Sequence, residues 1–281
     1  MAESADITHS NFPKRTHLCQ MANQVKAKKS LGQHFLNNEE ICERIAGSLT
    51  GHQGYKHVLE IGPGMGALTK YLLNKSHYDL EVVELDTESV NYLEKHYPLL
   101  KGKVHSQDFL HMRLNEKFTE QFAVIGNFPY NISSQILFKV LEHKELVPEV
   151  VGMFQKEVAE RIASKEGTRE SGILSVLLQA YYETEYLFTV EAHEFNPPPK
   201  VRSGVIRMKR KDNLELGCDE KLFKTVVKTA FNQRRKTLRN SLKSMKNDEM
   251  DMQGTLFDKR PEQLTLLQFV DLTNMFKKSG L

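Results

Sequence analysis

Short apolar segments alternate with stretches of helical periodicity along most of this 281-residue chain. The apolar segments are rich in Val, Ile and Phe, and they predict buried strands at 57–61, 80–85, 103–107, 122–126 and 150–155. Between them, segments 67–73, 87–96 and 133–141 carry apolar residues at helical spacing. This alternation predicts an α/β fold built on a doubly wound, mostly parallel sheet.

The pattern changes after the fifth predicted strand. Segments 185–190 and 201–209 are joined by the corner Pro197-Pro198-Pro199 without a helix, which predicts a terminal antiparallel hairpin. A polar linker at 212–217 is followed by helical periodicity over 222–231, 234–245 and 261–276, with Pro261 expected at a first helical position. We therefore expect an unstructured tail (1–25), an α/β domain (26–211) and a small all-helical domain (218–281).

The composition excludes several classes of protein. Hydrophobic residues make up 40% of the chain and charged residues 27%, proportions typical of a globular protein. The longest apolar run, 172–180, is far shorter than the roughly 20 residues of a membrane span. The first twenty residues have no apolar stretch, so we expect no secretory signal, and Met21 is an alternative start.

Cysteine and histidine usage bears on metals and on location. The three cysteines, Cys19, Cys42 and Cys218, are far apart, and no histidine pair has the spacing of a zinc protease. We therefore expect no disulfide framework, no metal site and a reducing, cytoplasmic location.

The small net charge of +3 conceals an uneven distribution. Residues 1–32 carry +3, residues 33–200 carry −8 and residues 201–281 carry +8. Basic ends on an acidic middle favour an anionic macromolecular partner, although two solvated basic faces would look the same.

A glycine-rich turn, Gly62-Pro63-Gly64-Met65-Gly66, follows the first predicted strand. Such a turn lets the backbone approach a bound nucleotide, and Glu84 at the end of the second strand can accept hydrogen bonds from ribose hydroxyls. Because Pro63 removes an amide that a pyrophosphate would need, S-adenosylmethionine suits the turn better than a dinucleotide. Asp108, just past the third strand, can accept from an adenine amine. The alternative is a turn that only reverses the chain.

The fourth strand ends in Asn127-Phe128-Pro129-Tyr130, at the edge where open α/β sheets bind ligands. An amine conjugated to an aromatic ring is a poor nucleophile, since its lone pair is delocalised. The Asn127 side-chain oxygen and a neighbouring carbonyl stiffened by Pro129 can each accept one N–H, which favours a pyramidal nitrogen. Tyr130 offers a face for stacking the base, so we predict Asn127, Pro129 and Tyr130 as the catalytic loop. The alternative is a structural turn with a buried tyrosine.

Five sequence blocks together resemble one known family. They are 30–36 (SLGQHFL), 60–64 (EIGPG), 127–133 (NFPYNIS), 195–203 (FNPPPKVRS) and 231–240 (FNQRRKTLRN). In this order, over about residues 26–276, they resemble the ribosomal RNA adenine dimethyltransferases, and the last block resembles the small-subunit KsgA type. The departures are mild: His34 stands where the family often has asparagine, and Phe128 where leucine is usual.

The resemblance implies a Rossmann-like class I methyltransferase domain over 26–211 and an RNA-binding helical domain over 218–281. It implies S-adenosylmethionine as donor, S-adenosylhomocysteine as product, and dimethylation of two adjacent adenines in a 3′-terminal hairpin loop of small-subunit rRNA within a pre-ribosomal particle. We also expect the protein to act as a monomer. The implied cofactor contacts are Gln33, His34, Leu36, Gly62, Gly64, Glu84, Asp108 and Asn127. Phe195 and Tyr130 would stack on the target base.

Cationic residues near both ends of the chain are candidates for RNA binding. In 231–245, helical spacing predicts an apolar stripe of Phe231, Leu238, Leu242 and Met245 beside a basic stripe of Arg235, Arg239 and Lys243. The predicted RNA-binding residues are Lys28, Lys29, Arg234, Arg235, Lys236, Arg239 and Lys243. A solvated charged face is the alternative.

Two other functions are compatible with parts of this pattern. A resistance-type methyltransferase of large-subunit rRNA shares the cofactor and Asn-x-Pro-Tyr motifs, but the block at 231–240 disfavours it. A non-catalytic ribosome-assembly or transcription factor could keep the fold and the basic surface, but the intact Glu84, Asp108 and Asn127 disfavour that function.

Overall fold

A computed structural model describes residues 25–246 and 251–278. Apart from Val25, the predicted unstructured tail therefore lies outside the described residues. The strands in these ranges are β1 (Phe35–Leu36), β2 (His57–Ile61), β3 (Asp79–Glu84), β4 (Val104–Ser106), β5 (Phe122–Asn127), β6 (Glu149–Gln155), β7 (Tyr182–Val190), β8 (Phe195–Asn196) and β9 (Ser203–Arg210). The helices are α1 (Glu39–Ala46), α2 (Thr69–Leu73), α3 (Thr87–His96), α4 (Leu114–Lys117), α5 (Ser133–Glu142), α6 (Lys156–Ile162), α7 (Ile173–Gln179), α8 (Glu220–Asn232), α9 (Leu238–Ser241) and α10 (Leu266–Lys278).

Seven strands form the main sheet in the order β4-β3-β2-β5-β6-β9-β7. Strands β2 to β6 are parallel, and β9 is antiparallel to both β6 and β7. The predicted Rossmann-like sheet with a terminal antiparallel hairpin is therefore confirmed. The strand order reverses between β2 and β5, so the segments that leave these two strands diverge and open a crevice at the carboxyl edge.

Both faces of the sheet are covered by apolar side chains. One cluster joins Leu59 and Val124 to α5, α7 and the C-terminal helices, and the other joins Val58 and Ile125 to α1, α2 and α3. Since both faces are buried, the central strands carry apolar residues on both faces rather than alternating with polar ones. The C-terminal helices share a continuous cluster with the α/β part of the chain.

The predicted helix over 234–245 is wrong. After α8 ends at Asn232 the chain makes a turn, and only α9 and a 3₁₀ turn, Lys243–Met245, follow. The turn allows Leu238 and Leu242 to be fully buried, and the Leu238 amide donates to the Lys259 carbonyl. Tertiary burial has overridden the helical spacing.

The other differences concern short elements. Pro261 begins a 3₁₀ turn, Pro261–Gln263, and the last helix starts only at Leu266, five residues later than predicted. The sequence pattern did not predict α1, α6 and α7, nor the antiparallel pair formed by β1 and β8. None of the described helices is long and apolar enough to cross a membrane.

Two glycines in neighbouring strands make room for Phe128, whose ring is 99% buried directly after β5. A Cβ at Gly126 would lie 2.7 Å from the ring, and one at Gly152 would lie 2.7 Å from Phe154 and closer still to Phe128. The two phenylalanine rings meet edge to face with their centroids 5.2 Å apart. The segment after Asn127 is therefore seated on the sheet by a close aromatic contact.

We expect Gly152→Ala to destabilise the protein by about 1–3 kcal/mol, because the added methyl overpacks the contact between Phe128 and Phe154. The shift of the unfolding midpoint in urea measures this effect. Gly254→Ala is the control, since a Cβ there meets nothing within 4 Å, and we expect it to change stability by less than about 0.5 kcal/mol. Equal midpoints for the two variants would contradict the overpacking.

Candidate active site at the carboxyl edge of the sheet

A cleft of about 1180 Å³, including its open mouth, lies at the carboxyl edge of the sheet. Its walls come from segment 30–36, from the turn after β2, from the end of β3 and from the segments after β4 and β5. The topology thus brings together residues that are nearly 100 positions apart in the sequence.

The glycine turn forms the floor of the cleft. Gly62 and Gly64 have φ angles of 65° and 56°, in the left-handed region that favours glycine. A Cβ at Gly64 would lie only 2.9 Å from the Phe35 ring. The turn therefore needs glycine for its backbone conformation and for its close contact with the N-terminal segment.

Glu84 ends β3 at the side of the cleft, with its carboxylate held by two backbone amides. Oε2 accepts from the Gly64 amide at 3.0 Å, and Oε1 accepts from the Asp86 amide at 2.8 Å. Burial raises the pKa of this carboxyl, and the two amide donors oppose that rise. Each oxygen has a further lone pair with which it can accept a hydrogen bond from a ligand hydroxyl.

Asp108 lies at the other end of the cleft, where it caps the 3₁₀ turn Phe109–His111. Its Oδ1 accepts from the Leu110 amide at 2.8 Å, and its Oδ2 lies 3.0 Å from Nδ1 of the exposed His111. The exposed side chain of Leu85 also lines this region and offers an apolar surface to a ligand. Sequence analysis did not predict a role for Leu85. The signal was its position directly after Glu84, because a residue just past a strand end lies at the same edge of the sheet.

Glu60 is a second residue that sequence analysis did not single out. It lines the cleft from within the apolar strand β2 and is 99% buried, and its Oε2 accepts from the Thr69 hydroxyl at 2.7 Å. Burial raises its pKa to about 8. A carboxyl group inside the motif His-Val-Leu-Glu-Ile was the signal, because a charged residue within a buried strand needs a partner or a proton.

Asn127 ends β5 and is oriented by the N-terminal segment. Its Nδ2 donates to the His34 carbonyl at 2.9 Å. Among the described residues, no hydrogen-bond partner takes Oδ1, so the side-chain oxygen is available as an acceptor for a ligand in the cleft. The carbonyl of Pro129, two residues on, accepts from the Ile132 amide at 3.2 Å, which closes the loop into a turn.

Tyr130 is tied to the start of β9. Its hydroxyl lies 2.6 Å from the Ser203 hydroxyl, and burial raises its pKa, so it is a neutral phenol at physiological pH. Its ring stacks against the His34 ring with centroids 5.9 Å apart, and Nδ1 of His34 donates to the Pro197 carbonyl at 2.8 Å. His34 thus links the catalytic loop to the proline-rich corner.

Ion pairs and strand pairing hold the N-terminal segment against the cleft. Lys28 forms ion pairs with Asp86 and, at 3.1 Å, with Glu88. Gln33 accepts from the Lys28 amide at 2.8 Å. Strand β1 pairs antiparallel with β8, which buries Leu36 in the core at the cleft margin.

Comparison with known proteins identifies the family. The sequence profile described as "Ribosomal RNA adenine dimethylase" matches residues 24–278. The chain belongs to this family. It is 59% identical to the ribosomal RNA small subunit methyltransferase A of Cytophaga hutchinsonii over 90% of this chain and 98% of that protein. It is 58% identical to the enzyme of the same name from Flavobacterium johnsoniae, over 92% and 98% of the two chains.

Solved structures agree on the architecture. A dimethyladenosine transferase from Plasmodium falciparum is 25% identical with a TM-score of 0.72, and the match covers 88% of this chain and 99% of that one. The 23S rRNA methyltransferase ErmE is 24% identical with a TM-score of 0.62, over 86% and 99%, and it shares the fold. The architecture is therefore that of the methyltransferase fold.

Within this family framework, the structure gathers most of the predicted site residues at one cleft. The cleft is lined by Gln33, His34, Leu36, Gly62, Gly64, Glu84, Asp108, Asn127, Pro129 and Tyr130. Phe195 is the exception, since its ring is 97% buried in a core cluster and does not line the cleft. In this conformation the Phe195 ring is inaccessible to a base. No group of His, Cys, Asp and Glu in the described part of the chain is arranged to hold a metal ion.

The predicted RNA-binding cations fall into two groups. Lys28 pairs with Asp86, Arg234 donates to the Arg169 carbonyl, and Arg239 pairs with Asp258 at 2.6 Å. By contrast, none of the remaining cations forms an ion pair with a described residue: Lys29, Arg235, Lys236 and Lys243. Because the helix predicted over 234–245 is broken, these residues do not form a single basic stripe.

The buried carboxyl of Glu60 predicts a pH dependence of stability. Its pKa in the folded protein, about 8, lies above the ordinary value of 4.5, so the folded state binds the proton more tightly. Its contribution to stability is therefore complete below about pH 4.5 and is lost as the pH rises through about 8. Glu60→Gln should abolish this loss, so that wild-type stability falls relative to the variant between pH 5 and 8. Urea unfolding at several pH values measures this difference in stability. The control is Glu40→Gln, on the exposed side of α1, which should not abolish the loss. Parallel curves for wild type and Glu60→Gln would contradict a raised pKa.

Proposed function

We propose that this chain transfers methyl groups from S-adenosylmethionine to the exocyclic amines of two adjacent adenines in the 3′-terminal hairpin loop of small-subunit rRNA. The products are dimethyladenosines and S-adenosylhomocysteine. The observation that carries the proposal is the geometry of Asn127, whose amide nitrogen is held by the His34 carbonyl while its oxygen is left free at the cleft. The high identity to small-subunit methyltransferases supports the choice of substrate.

The residues of the cleft fit this donor. Glu84 can accept both ribose hydroxyls because its carboxylate is already oriented by two amides, and Asp108 can accept from the adenine amine. Pro63 leaves the turn with one amide fewer, which matters little to a ligand without phosphate. When bound, the donor supplies a methyl group on a cationic sulfur, and the acidic side chains of the cleft favour a cation.

The catalytic loop prepares the acceptor amine. Asn127 Oδ1 accepts one N–H, and a neighbouring backbone carbonyl stiffened by Pro129 accepts the other, which directs the nitrogen lone pair out of the ring plane. Tyr130 stacks on the extruded base, while Ser203 and His34 hold its ring in place. Stacking on Phe195 would require β8 to separate from β1, since the ring is buried in the free protein.

The basic residues are proposed to hold the RNA in an assembling small subunit in the cytoplasm, with the enzyme acting as a monomer. The largest contributions come from Lys29, Arg235, Lys236 and Lys243, because these four form no ion pair with any described residue that RNA would have to break. Lys28, Arg234 and Arg239 would first have to leave partners within the protein.

The function is tested by mass spectrometry of nucleosides from undermethylated small and large subunits incubated with the enzyme and S-adenosylmethionine. Dimethyladenosine in small-subunit RNA alone is expected. Dimethyladenosine in large-subunit RNA would favour a resistance-type enzyme. Absence of S-adenosylmethionine binding in calorimetry would favour a non-catalytic assembly factor.

Asn127→Ala should lower the rate of methyl transfer by at least about a hundredfold, the scale seen when one oriented catalytic hydrogen-bonding group is lost. Binding of the small subunit should be unchanged, because the phosphate contacts lie elsewhere. Single-turnover transfer and filter binding separate the two effects. Asn91→Ala, on the exposed face of α3, is the matched control and should behave as wild type. A fully active Asn127→Ala would remove this loop from the chemistry.

The double variant Arg235→Ala/Lys236→Ala should weaken binding of the small subunit and reduce its salt dependence by about one to two phosphate contacts. Affinity for S-adenosylmethionine should not change. Lys56→Ala, an exposed cation before β2 at the opposite edge of the sheet, is the control. Binding measured from 50 to 200 mM salt gives the slopes, and identical slopes for all three proteins would exclude a contact at these residues.

A further inference from the structure

A buried lysine on α5 lies behind the wall of the cleft. Lys139 is 92% buried among the apolar residues of that helix, and no acidic side chain in the described part of the chain forms an ion pair with it. Burial lowers its pKa from the ordinary value. Burying an ammonium group is costly, and the charges of Asp108 and Glu142 offset only part of the cost because neither carboxylate contacts it directly, so hydrogen bonds must supply the rest.

The compensation comes from three backbone carbonyls of one short segment. Lys139 Nζ donates to the carbonyls of Phe109 at 2.7 Å, Leu110 at 2.9 Å and Met112 at 2.5 Å. An ammonium group has three N–H donors, so its donor capacity is used completely within this segment. The nitrogen also lies 5.1 Å from the centroid of the Phe109 ring.

This segment is the 3₁₀ turn that begins at Asp108. The Asp108 carboxylate caps the amino end of the turn through the Leu110 amide, and the Lys139 ammonium caps the carboxyl end through the three carbonyls. Charges of these signs at these ends match the direction of the backbone dipoles. Asp108, Phe109 and Leu110 line the cleft, whereas Lys139 does not.

Helix α5 also carries the end of the catalytic loop. The Ser133 hydroxyl, at its first residue, donates to the Tyr130 carbonyl at 3.1 Å. One helix thus contacts the catalytic loop at its amino end and the Asp108 turn through Lys139 near its carboxyl end. Helix α5 therefore links the Asp108 turn to the loop that follows β5.

We propose that Lys139 is a positioning residue for recognition of the cofactor's adenine, acting through the turn that carries Asp108. The inference rests on the proposed function, in which Asp108 accepts from the adenine amine. Without the ammonium group, the carbonyls of Leu110 and Met112 lose their donor, the Phe109 carbonyl keeps only the Met112 amide, and the turn loosens. Selectivity for the amine is then lost together with affinity, because a mobile carboxylate no longer meets the amine in one geometry.

The test compares S-adenosylhomocysteine with S-inosylhomocysteine, which carries a carbonyl in place of the exocyclic amine. By calorimetry, the wild type should bind the adenine compound at least tenfold more tightly. Lys139→Met should reduce this preference to less than threefold, and Lys139→Arg, which keeps the charge, should restore part of it. The double variant Lys139→Met/Asp108→Ala should show the same preference as Asp108→Ala alone, since both changes act on one contact.

A matched control separates positioning from stability. Tyr182→Phe removes another buried hydrogen bond to a carbonyl, that of Val147 at 2.9 Å, on the core side away from the cleft. It should lower stability without changing the preference for the amine. Loss of the preference in Tyr182→Phe, or an unchanged preference in Lys139→Met, would overturn the proposal for Lys139.

Hydrogen exchange of the unliganded protein makes the test independent of the cofactor. The Leu110 amide should exchange at least tenfold faster in Lys139→Met than in the wild type, and equal rates would overturn the proposal even if the Met variant proves unstable in other respects. If the wild type binds neither homocysteine compound, the proposed function fails. Hydrogen exchange of the Leu110 amide would still show whether Lys139 stabilises the turn.

Discussion

The parallel pairing of β2 with β5 is the constraint on which the site depends. These two strands lie side by side in register, with His57 opposite Phe122 and Glu60 opposite Ile125. The chain leaves them in opposite directions along the sheet, so the glycine turn and the catalytic loop open away from each other at one edge. In the proposed function, a cofactor held by the first loop would therefore lie beside an acceptor group held by the second.

The N-terminal segment closes this crevice, although it is not part of the main sheet. Its carbonyl at His34 orients Asn127, its lysine at 28 pairs with Asp86, and β1 pairs with β8 beside the proline-rich corner. The segment touches both the cofactor side and the base side of the cleft. This explains why residues before the first strand of the sheet are needed for a complete site.

The motifs brought most of the predicted cofactor contacts to one cleft, because several of these residues end a strand or follow one within two positions. Gly62, Glu84, Asp108 and Asn127 lie where an apolar run ends, and a parallel sheet places all such ends at one edge. For the basic segment near the C-terminus, the predicted helix was wrong. Spacing alone cannot show that a chain turns at Gln233 to bury Leu238, nor that Arg239 meets Asp258 from a distant segment. Phe195 shows the same limit, since its place in a two-residue strand depends on a partner strand about 160 positions away.

The sequence by itself determined the class of fold and the edge of the sheet at which the predicted cofactor and catalytic-loop residues meet. These depend on local features: the period of apolar residues, glycine and proline at turns, and polar side chains at strand ends. The tertiary structure alone decided which charges are free. Lys139 and Glu60 are buried beside the site, and Lys28 and Arg239 are paired. The state of an ionisable side chain depends on its solvent exposure and on the charges near it, and both are set by contacts between segments far apart in the chain.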